Sequence, residues 1–314
     1  MEIQRRSTFE RETDKDSGRE RLLDRVLRKQ DWMDGTAEVV QGWVGGAYGV
    51  LGRPGRALKN ALHGTTVLGH PLHPAITDVP LGAWTVAVIA DWLAIITHRV
   101  PTSVGDIALA IGLTAALLAA LSGYTDFHET FGQERRNALL HGLTMTTTVV
   151  VFAVSLGLRW WGPESLHLAA VILASGAYLL AMGGSYVGGH MTFGLGTMVN
   201  RNAFADGPAD FVAIGATPDF REGQMRRVDA GGLPVLVTRL NGKVCAIGAV
   251  CSHAGGPLEE GKLEGEVVTC PWHGSRFNVC SGDVKGGPAS FDQPPLIARE
   301  QNGRVEVKLA HPLH

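Results

Sequence analysis

The sequence predicts an α+β multidomain protein in which a four-helix transmembrane bundle is followed by a small, all-β antiparallel domain. Four apolar runs of membrane-spanning length fill the middle of the chain, and short β segments joined by tight turns fill its C-terminal part. Charge is also unevenly distributed. Of the 28 Lys/Arg and 30 Asp/Glu in 314 residues, only 5 and 8 lie in residues 61–207. A charge-poor centre between charged ends is typical of a membrane protein.

The overall composition excludes several other classes of protein. The formal net charge of −2 argues against a nucleic-acid-binding protein, which would carry a basic excess. A hydrophobic content of 45% is too high for a disordered chain. Four cysteines in a chain of this length do not form a disulfide scaffold.

Residues 1–60 form a charged N-terminal segment with 12 Lys/Arg and 10 Asp/Glu. Its first 30 residues lack the apolar stretch of a signal peptide. They form a solvated surface, either helical or disordered. Residues 36–62 are glycine-rich and partly amphipathic, which leaves two alternatives: a helix on the membrane surface or a flexible linker.

Residues 61–200 are expected to form the membrane domain. Each apolar run is near the roughly 20 residues that cross a bilayer core. The runs lie at about 75–97, 104–124, 138–161 and 166–187. A soluble helical bundle is the alternative, but four consecutive runs with so few charges disfavour it.

The placement of Lys and Arg predicts the orientation of these spans. With the N-terminus inside, six basic residues flank the spans on the cytoplasmic side, and only Arg99 and Arg159 fall on the other. The six are Arg53, Arg56, Lys59, Arg135, Arg136 and Arg201. Both termini are therefore expected in the cytoplasm.

Several histidines lie near the cytoplasmic ends of the spans, and ionisable groups at membrane depth are candidates for function. The candidate ligands of a haem b or a metal ion are His70, His73, His141 and His190. The alternative is that these side chains cap helix ends and hydrogen-bond to lipid headgroups. Asp78 could orient one of the histidines, whereas Asp91, deep in the first span, is expected to pair within the bundle.

The stretch HPLHPAITDVPLGAW, together with SYVGGH after the last span, resembles a four-helix bacterial membrane domain of unknown function. The resemblance covers about residues 60–200 and implies no activity. It implies a multi-pass protein of the bacterial inner (cell) membrane, in contact with membrane lipids.

The C-terminal region, residues 208–314, changes to β segments. VLVTRL and KVCAIGA flank Asn241-Gly242, and LIAREQ and RVEVKL flank Asn302-Gly303. Asn-Gly between two apolar runs predicts a hairpin with a two-residue type I′ turn.

Two Gly/Pro-rich loops between these hairpins each offer one thiolate and one imidazole: Cys251 with His253, and Cys270 with His273. A mixed-ligand [2Fe–2S] cluster needs two Cys on one iron and two His on the other. Zinc takes the same ligand set, but structural zinc sites usually pair Cys with Cys along the chain. The interleaved order here favours the cluster.

Residues 208–310 resemble a Rieske iron–sulfur domain, and the double Cys/His motif is highly specific for it. The resemblance implies a [2Fe–2S] cluster with Cys251 and Cys270 on one iron and His253 and His273 on the other. The high-potential members of the family have an extra cysteine in each cluster loop, and these positions here are occupied by Gly256 and another residue, Trp272.

The same resemblance identifies the residues that hydrogen-bond the cluster sulfurs in high-potential members. Ser275 matches their serine, but Phe277 replaces their tyrosine. Because hydrogen bonds to sulfur stabilise the reduced cluster, we expect a potential in the lower half of the Rieske range. The remaining cysteines, Cys245 and Cys280, are expected to be reduced, small buried side chains.

These features predict a membrane-anchored protein that transfers one electron at a time at the cytoplasmic membrane face, through an exposed histidine-ligated edge. Its partner would be a redox protein or a quinone or haem donor, not a nucleic acid. One alternative is a ferredoxin-like donor to an oxygenase or reductase, with the membrane domain only as an anchor. Another is a redox-sensing, non-enzymatic protein. A self-contained Rieske oxygenase is disfavoured, because it needs a further domain with a 2-His-1-carboxylate iron site.

Overall fold

Two helices precede the apolar bundle in the computed structural model, which describes residues 22–65 and 68–311. They are α1 (Leu22–Arg28) and α2 (Trp32–His63). The predictions for residues 1–21 lie outside the described residues. The alternative of a flexible linker over residues 36–62 is wrong, because α2 is helical on both sides of a kink. The kink lies at Gly52, whose φ of +58° favours glycine, two residues before Pro54.

Four long apolar helices form the bundle, as the sequence predicts. They are long and apolar enough to cross a membrane, with mean hydropathy between 1.7 and 2.1. A short helix, α3 (Leu72–Ile76), leads into the first of them. The four are α4 (Asp78–Thr97), α5 (Thr102–Phe127), α6 (Gly132–Trp161) and α7 (His167–His190). A 3₁₀ turn, Glu164–Leu166, precedes α7, and a π turn, Met191–Leu195, follows it.

The bundle contains two similar helical hairpins, α4–α5 and α6–α7. Three pairs of side chains meet across the bundle, each between a residue of α3 or α4 and a residue of α6, and 68 residues separate the two members of each pair. The pairs are His73 with His141, Trp84 with Phe152, and Asp91 with Arg159. A constant separation indicates that a pseudo-twofold axis along the bundle relates the two hairpins.

The pair farthest from the Rieske domain along the bundle is an ion pair, so the expected pairing of Asp91 within the bundle is confirmed. Arg159 Nη1 and Nη2 donate to the two carboxylate oxygens of Asp91 at 2.8 and 2.6 Å. Arg159 Nη1 also donates to Asp106 at 3.1 Å. The Arg159 side chain is fully buried, so these bonds compensate a charge that is removed from water.

The C-terminal domain contains two antiparallel sheets. The larger has six strands in the order β1-β10-β9-β4-β3-β2, and the smaller has four in the order β5-β6-β7-β8. The strands are β1 (Val212–Ala216), β2 (Arg226–Ala230), β3 (Leu233–Leu240), β4 (Lys243–Gly248), β5 (Lys262–Glu264), β6 (Val267–Thr269), β7 (Arg276–Asn278), β8 (Val284–Gly286), β9 (Pro295–Gln301) and β10 (Arg304–Leu309).

Both predicted hairpins are confirmed. Asn241 and Gly242 connect β3 to β4 with φ of +51° and +79°. Asn302 and Gly303 connect β9 to β10 with φ of +51° and +74°. Positive φ at both central residues is the requirement of a type I′ turn, which asparagine and glycine meet at low cost.

A disulfide joins Cys245 to Cys280, whose Cα atoms are 4.6 Å apart. The prediction that these residues are two separate reduced thiols is therefore wrong. Cys245 lies in β4, and Cys280 lies in the turn after β7, 35 residues later. The two sheets pack against a shared core, and this packing brings the two cysteine side chains together. The spacing of the cysteines along the sequence does not predict such a contact.

Candidate metal centre

Two loops of similar geometry carry the predicted ligands. In the first, the N–H of Gly255 donates to the carbonyl of Cys251 at 2.8 Å. In the second, the N–H of Gly274 donates to the carbonyl of Cys270 at 3.1 Å. These glycines have φ of +82° and +75°, a conformation that is costly for other residues. The two tight turns thus present the two cysteines in the same way.

The loops face each other and bring like ligands together. Cys251 and Cys270 are buried and share a hydrogen bond between their thiols. The ring centres of His253 and His273 are 4.8 Å apart. A pair of sulfurs beside a pair of imidazoles is the arrangement that a mixed-ligand [2Fe–2S] cluster requires.

The imidazole of His253 fits a role as a metal ligand. Its Nδ1 is buried and has no hydrogen-bond partner among residues 22–65 and 68–311, although buried polar atoms are normally bonded. Burial, together with the nearby His273, lowers the pKa of His253 to about 3. The ring is therefore neutral near pH 7, which is the form that binds metal.

The thiols are electrostatically coupled. The hydrogen bond between them lowers the pKa of Cys270 to about 7 and raises the pKa of Cys251. A bound iron ion would hold both sulfurs as thiolates, because metal coordination deprotonates a thiol.

Gly256 leaves no room for the extra cysteine of high-potential members. A Cβ there would lie 2.8 Å from the Sγ of Cys270 and 3.0 Å from the Cγ of Trp272. These contacts are shorter than van der Waals distance, so the backbone or the Trp272 ring would have to move. The close packing of the two ligand loops therefore requires a glycine at position 256.

Ser275 and Phe277 lie beneath the loops and are both fully buried. The Oγ of Ser275 accepts a hydrogen bond from the N–H of Ala289 at 3.0 Å. Because this bond uses an oxygen lone pair, the hydroxyl proton of Ser275 is left to donate elsewhere. Phe277 has no polar atom to offer.

The histidine-bearing edge of the loops faces the helical bundle instead of being exposed as predicted. The ring of His273 stacks on Phe131, between α5 and α6, with ring centres 4.6 Å apart and planes at 14°. On the other side of the site, His70 meets Phe291 edge to face at 6.0 Å. The ligand loops therefore lie directly on one end of the bundle.

Hydrogen bonds to the end of α2 hold the β domain in this position. Each joins the segment 287–290, next to the ligand loops, to residues between 60 and 65. They are Gly287 N–H to Asn60 Oδ1 at 3.1 Å, Ser290 Oγ to His63 O at 3.1 Å, and Thr65 Oγ1 to Ala289 O at 2.8 Å. Gly287 and Ser290 donate from the β domain, and Thr65 donates from the helical domain, so both domains contribute donors.

His63 and Asp126 form a buried pair at this junction that was not among the residues predicted from the sequence. His63 Nδ1 lies 2.7 Å from Asp126 Oδ1, and His63 is 1% exposed. Asp78, the predicted orienting carboxylate, makes no hydrogen bond or ion pair to a histidine within the described chain. The sequence signal for the pair was Asp126 at the end of an otherwise apolar span.

Of the four histidines proposed as haem or metal ligands, the structure brings two together. The ring centres of His73 and His141 are 6.0 Å apart. His70 is hydrogen-bonded to its own neighbour's carbonyl at Pro71, 3.0 Å away, and His190 Nε2 lies 2.8 Å from a carboxylate of α1. The 68-residue separation that His73 and His141 share with the two other contacting pairs of the bundle distinguishes them from His70 and His190.

Two family models match this chain. The model described as "Rieske [2Fe-2S] domain" matches residues 210–296. The model described as "Predicted membrane protein (DUF2231)" matches residues 69–201. The two matches fall on the β domain and on the helical bundle respectively.

Curated relatives match about a third of the chain. Apoptosis-inducing factor 3 of Homo sapiens is 42% identical over 103 residues, and the match spans 32% of this chain but only 17% of that protein. Ferredoxin CarAc of Metapseudomonas resinovorans is 36% identical over 98 residues, which are 31% of this chain and 92% of that protein. Biphenyl 2,3-dioxygenase, ferredoxin component, of Rhodococcus jostii is 34% identical over 90% of its length.

Among solved structures, the ferredoxin of carbazole 1,9a-dioxygenase from Nocardioides aromaticivorans is 26% identical. It aligns over 97% of its own length and 32% of this chain, with a TM-score of 0.31. The family match and the ferredoxin relatives establish a [2Fe–2S] cluster and a role in electron transfer for the β domain. The chain belongs to the Rieske [2Fe–2S] family, with its Rieske domain placed after a four-helix domain that matches DUF2231.

Proposed function

We propose that this protein is a membrane-anchored Rieske protein that exchanges single electrons with a partner at the cytoplasmic face of the membrane. The observation that carries the proposal is the stacking of His273 on Phe131 at the end of the bundle. The bound cluster supplies one-electron chemistry. The histidine edge, where electrons enter or leave, then lies next to the membrane domain.

Cys251 and Cys270 are proposed to bind one iron, and His253 and His273 the other. The proposal is supported by the shared hydrogen bond of the thiols and by the unpaired Nδ1 of His253 among the described residues. Ser275 is proposed to donate its hydroxyl proton to a cluster sulfur.

The ligand assignment is tested by exchanging cysteines in the full-length protein. Cys251→Ser or Cys270→Ser should remove the iron, the acid-labile sulfide and the paramagnetic resonance signal of the reduced cluster. Cys245→Ser is the matched control, since it removes a cysteine sulfur from the same domain but not from the ligand loops. A cluster that survives in the Cys251→Ser protein, or is lost in the control alone, would contradict the assignment.

The proposed orientation rests on the basic residues. At the Rieske end of the bundle the chain carries the six Lys/Arg named above, whereas Arg99 lies at the opposite end and Arg159 is buried in an ion pair. Fusions of a reporter to the C-terminus test this. A green fluorescent protein should fluoresce and alkaline phosphatase should be inactive, and the reverse result would place the Rieske domain outside the cytoplasm.

The disulfide between Cys245 and Cys280 favours the opposite orientation, because disulfides are rare in the cytosol. We give the basic residues more weight, since Lys/Arg bias sets orientation during membrane insertion. Two cysteines held at this separation can also be oxidised after the cell is opened. The reporter fusions decide between the two orientations.

The route of the electron is tested in vesicles that contain the intact protein. After chemical reduction of the cluster, a quinone dissolved in the bilayer should oxidise it faster than a water-soluble acceptor protein does. Phe131→Ala should slow oxidation by the quinone, because it removes the side chain on which His273 rests. Phe204→Ala is the control, since Phe204 is 91% exposed. Equal quinone rates in both variants would contradict the proposed route.

A second candidate is a ferredoxin-like donor to a soluble oxygenase or reductase, with the bundle only as an anchor. The identity to Ferredoxin CarAc favours it. In that case the Rieske domain would leave the bundle to expose its histidine edge, and Phe131→Ala would speed electron transfer to a soluble acceptor. The same vesicle experiment therefore separates the two candidates.

A further inference from the structure

Two histidines face each other inside the bundle at the end next to the Rieske domain. His73 lies in α3, just before α4, and His141 lies in α6, nine residues after that helix begins at Gly132. His141 therefore lies about 14 Å along the helix axis from the start of α6. Their ring centres are 6.0 Å apart with planes at 81°. Both rings are half-buried at membrane depth, where ionisable side chains usually have a function.

Each ring is held in the tautomer that binds metal through Nε2. His73 Nδ1 lies 2.9 Å from the carbonyl oxygen of Ala119 in α5, and His141 Nδ1 lies 2.8 Å from that of Gly184 in α7. A carbonyl can only accept, so both Nδ1 atoms carry the proton and both Nε2 atoms have a free lone pair. Metal-binding histidines are commonly fixed in this way by a second partner.

The surroundings of the two rings are equivalent in the two hairpins. Four residues after each acceptor carbonyl comes a glycine, Gly123 in α5 and Gly188 in α7. A Cβ at Gly123 would lie 2.8 Å from His73, and one at Gly188 would lie 3.1 Å from His141. Both glycines therefore make space for an imidazole. Any group bound between the two rings would lie on the pseudo-twofold axis and meet the same donor on each side.

The number of histidine ligands indicates whether an isolated metal ion or a haem could bind between the two rings. Two imidazoles bound at about 2.0 Å on opposite sides of one metal ion place their ring centres about 6 Å apart, which is the separation observed. An isolated ion needs further ligands, and among the described residues no third His, Cys, Asp or Glu side chain joins His73 and His141 to form a group that could hold one. A porphyrin supplies four equatorial nitrogens and requires only two axial ligands from the protein.

We propose that His73 and His141 are the axial ligands of a haem bound in the bundle, on the axis that relates its two hairpins. Of the four histidines predicted as possible ligands, this assigns two and excludes His70 and His190. The site uses no residue of the Rieske loops, so it does not depend on the ligand assignment of the cluster.

The proposal is tested first by haem content. The full-length protein, produced with sufficient haem and purified in detergent, should contain about one haem per chain with the spectrum of a low-spin, bis-imidazole iron. The pyridine haemochromogen assay and paramagnetic resonance measure this. Protein without haem that also fails to bind added ferric protoporphyrin IX saturably would overturn the proposal. So would a stoichiometric metal ion bound without porphyrin, measured by elemental analysis.

Substitutions then test the two ligands. His73→Ala and His141→Ala should each weaken the binding of ferric protoporphyrin IX by about tenfold or more. His128→Ala is the matched control: its Nδ1 lies 3.0 Å from the carbonyl of Gln41 and its ring also packs against a glycine. It has no facing histidine ring among the described residues. Wild-type affinity in both test variants would overturn the assignment.

Two further variants separate ligation from folding. His73→Gly should regain haem on addition of imidazole, which can occupy the vacated position. His141→Met should retain haem with a raised reduction potential, because a thioether ligand favours ferrous iron. Failure of both, with an intact cluster signal as proof of folding, would overturn the proposal. The cluster signal is recorded in every sample. Cys251→Ser should lose the cluster signal but keep haem. Failure of the haem proposal can therefore be distinguished from failure of the proposed cluster ligands.

Discussion

Replacing Ser275 by alanine should lower the reduction potential of the cluster. The Ser275 hydroxyl is fully buried and accepts from the N–H of Ala289, which leaves its proton available for the proposed hydrogen bond to a cluster sulfur. The reduced cluster is more negative than the oxidised one, so this bond stabilises the reduced form more strongly. Removing the donor therefore disfavours reduction.

The size of the shift follows from the energy of one hydrogen bond. A bond to a charged partner contributes about 1.5 to 3 kcal/mol. A tenfold change in a one-electron equilibrium corresponds to about 59 mV and to about 1.4 kcal/mol. The expected decrease is thus about 60 to 130 mV, with the upper value applying if the bond acts only in the reduced state.

Redox titration of the full-length protein, followed by paramagnetic resonance, measures this potential. Ser252→Ala is the matched control. Its hydroxyl donates to the carbonyl of Phe291 at 2.7 Å, so its proton is already used within the same site. Phe277→Tyr should act in the opposite direction by adding a hydroxyl. A decrease of less than about 20 mV in Ser275→Ala, or an equal decrease in the control, would refute the proposed role of Ser275.

Three further predictions concern other parts of the molecule. Arg159→Met leaves Asp91 buried without its partner and should cost about 3 to 5 kcal/mol in the free energy of unfolding. Denaturation in detergent measures this loss, and a value below about 1 kcal/mol would contradict it. Alkylation of thiols in the protein purified without reductant should find Cys245 and Cys280 joined as a disulfide, and alkylation of both as free thiols would contradict this pairing. A hydrogen bond from an arginine of α6 lowers the pKa of Asp34 below its usual 3.8. The stabilisation from Asp34 is therefore present above about pH 3.8 and lost as the pH falls below it, so thermal unfolding at low pH should show a smaller loss for Asp34→Asn than for wild type.

Local patterns in the sequence predicted most of the secondary structure. Asn241-Gly242 fixed its hairpin because positive φ is needed at both positions, and long apolar runs fixed the four helices by their length. The candidate ligands, such as Cys251 and His253, could be proposed from the sequence because both lie in one loop. Information of this kind is contained within a few residues.

Contacts between distant segments could not be predicted in the same way. The disulfide from Cys245 to Cys280 and the stacking of His273 on Phe131 depend on how sheets and domains pack. The pair of His63 and Asp126 was not predicted, because 63 residues separate its two members along the chain. Tertiary packing determines which distant residues meet. It also covers the histidine-bearing edge of the Rieske domain, which was predicted to be exposed, with the end of the helical bundle.

The pseudo-twofold axis of the bundle also constrains its ancestry. If the two hairpins arose by duplication of one ancestral hairpin, residues that now meet at the axis were once identical. Two histidines are compatible with that state, as at positions 73 and 141. Asp91 and Arg159 are not, because two identical charges buried face to face repel each other. The ion pair must therefore have evolved after the halves diverged, and it made the two hairpins non-interchangeable, while the imidazole layer could have been inherited unchanged.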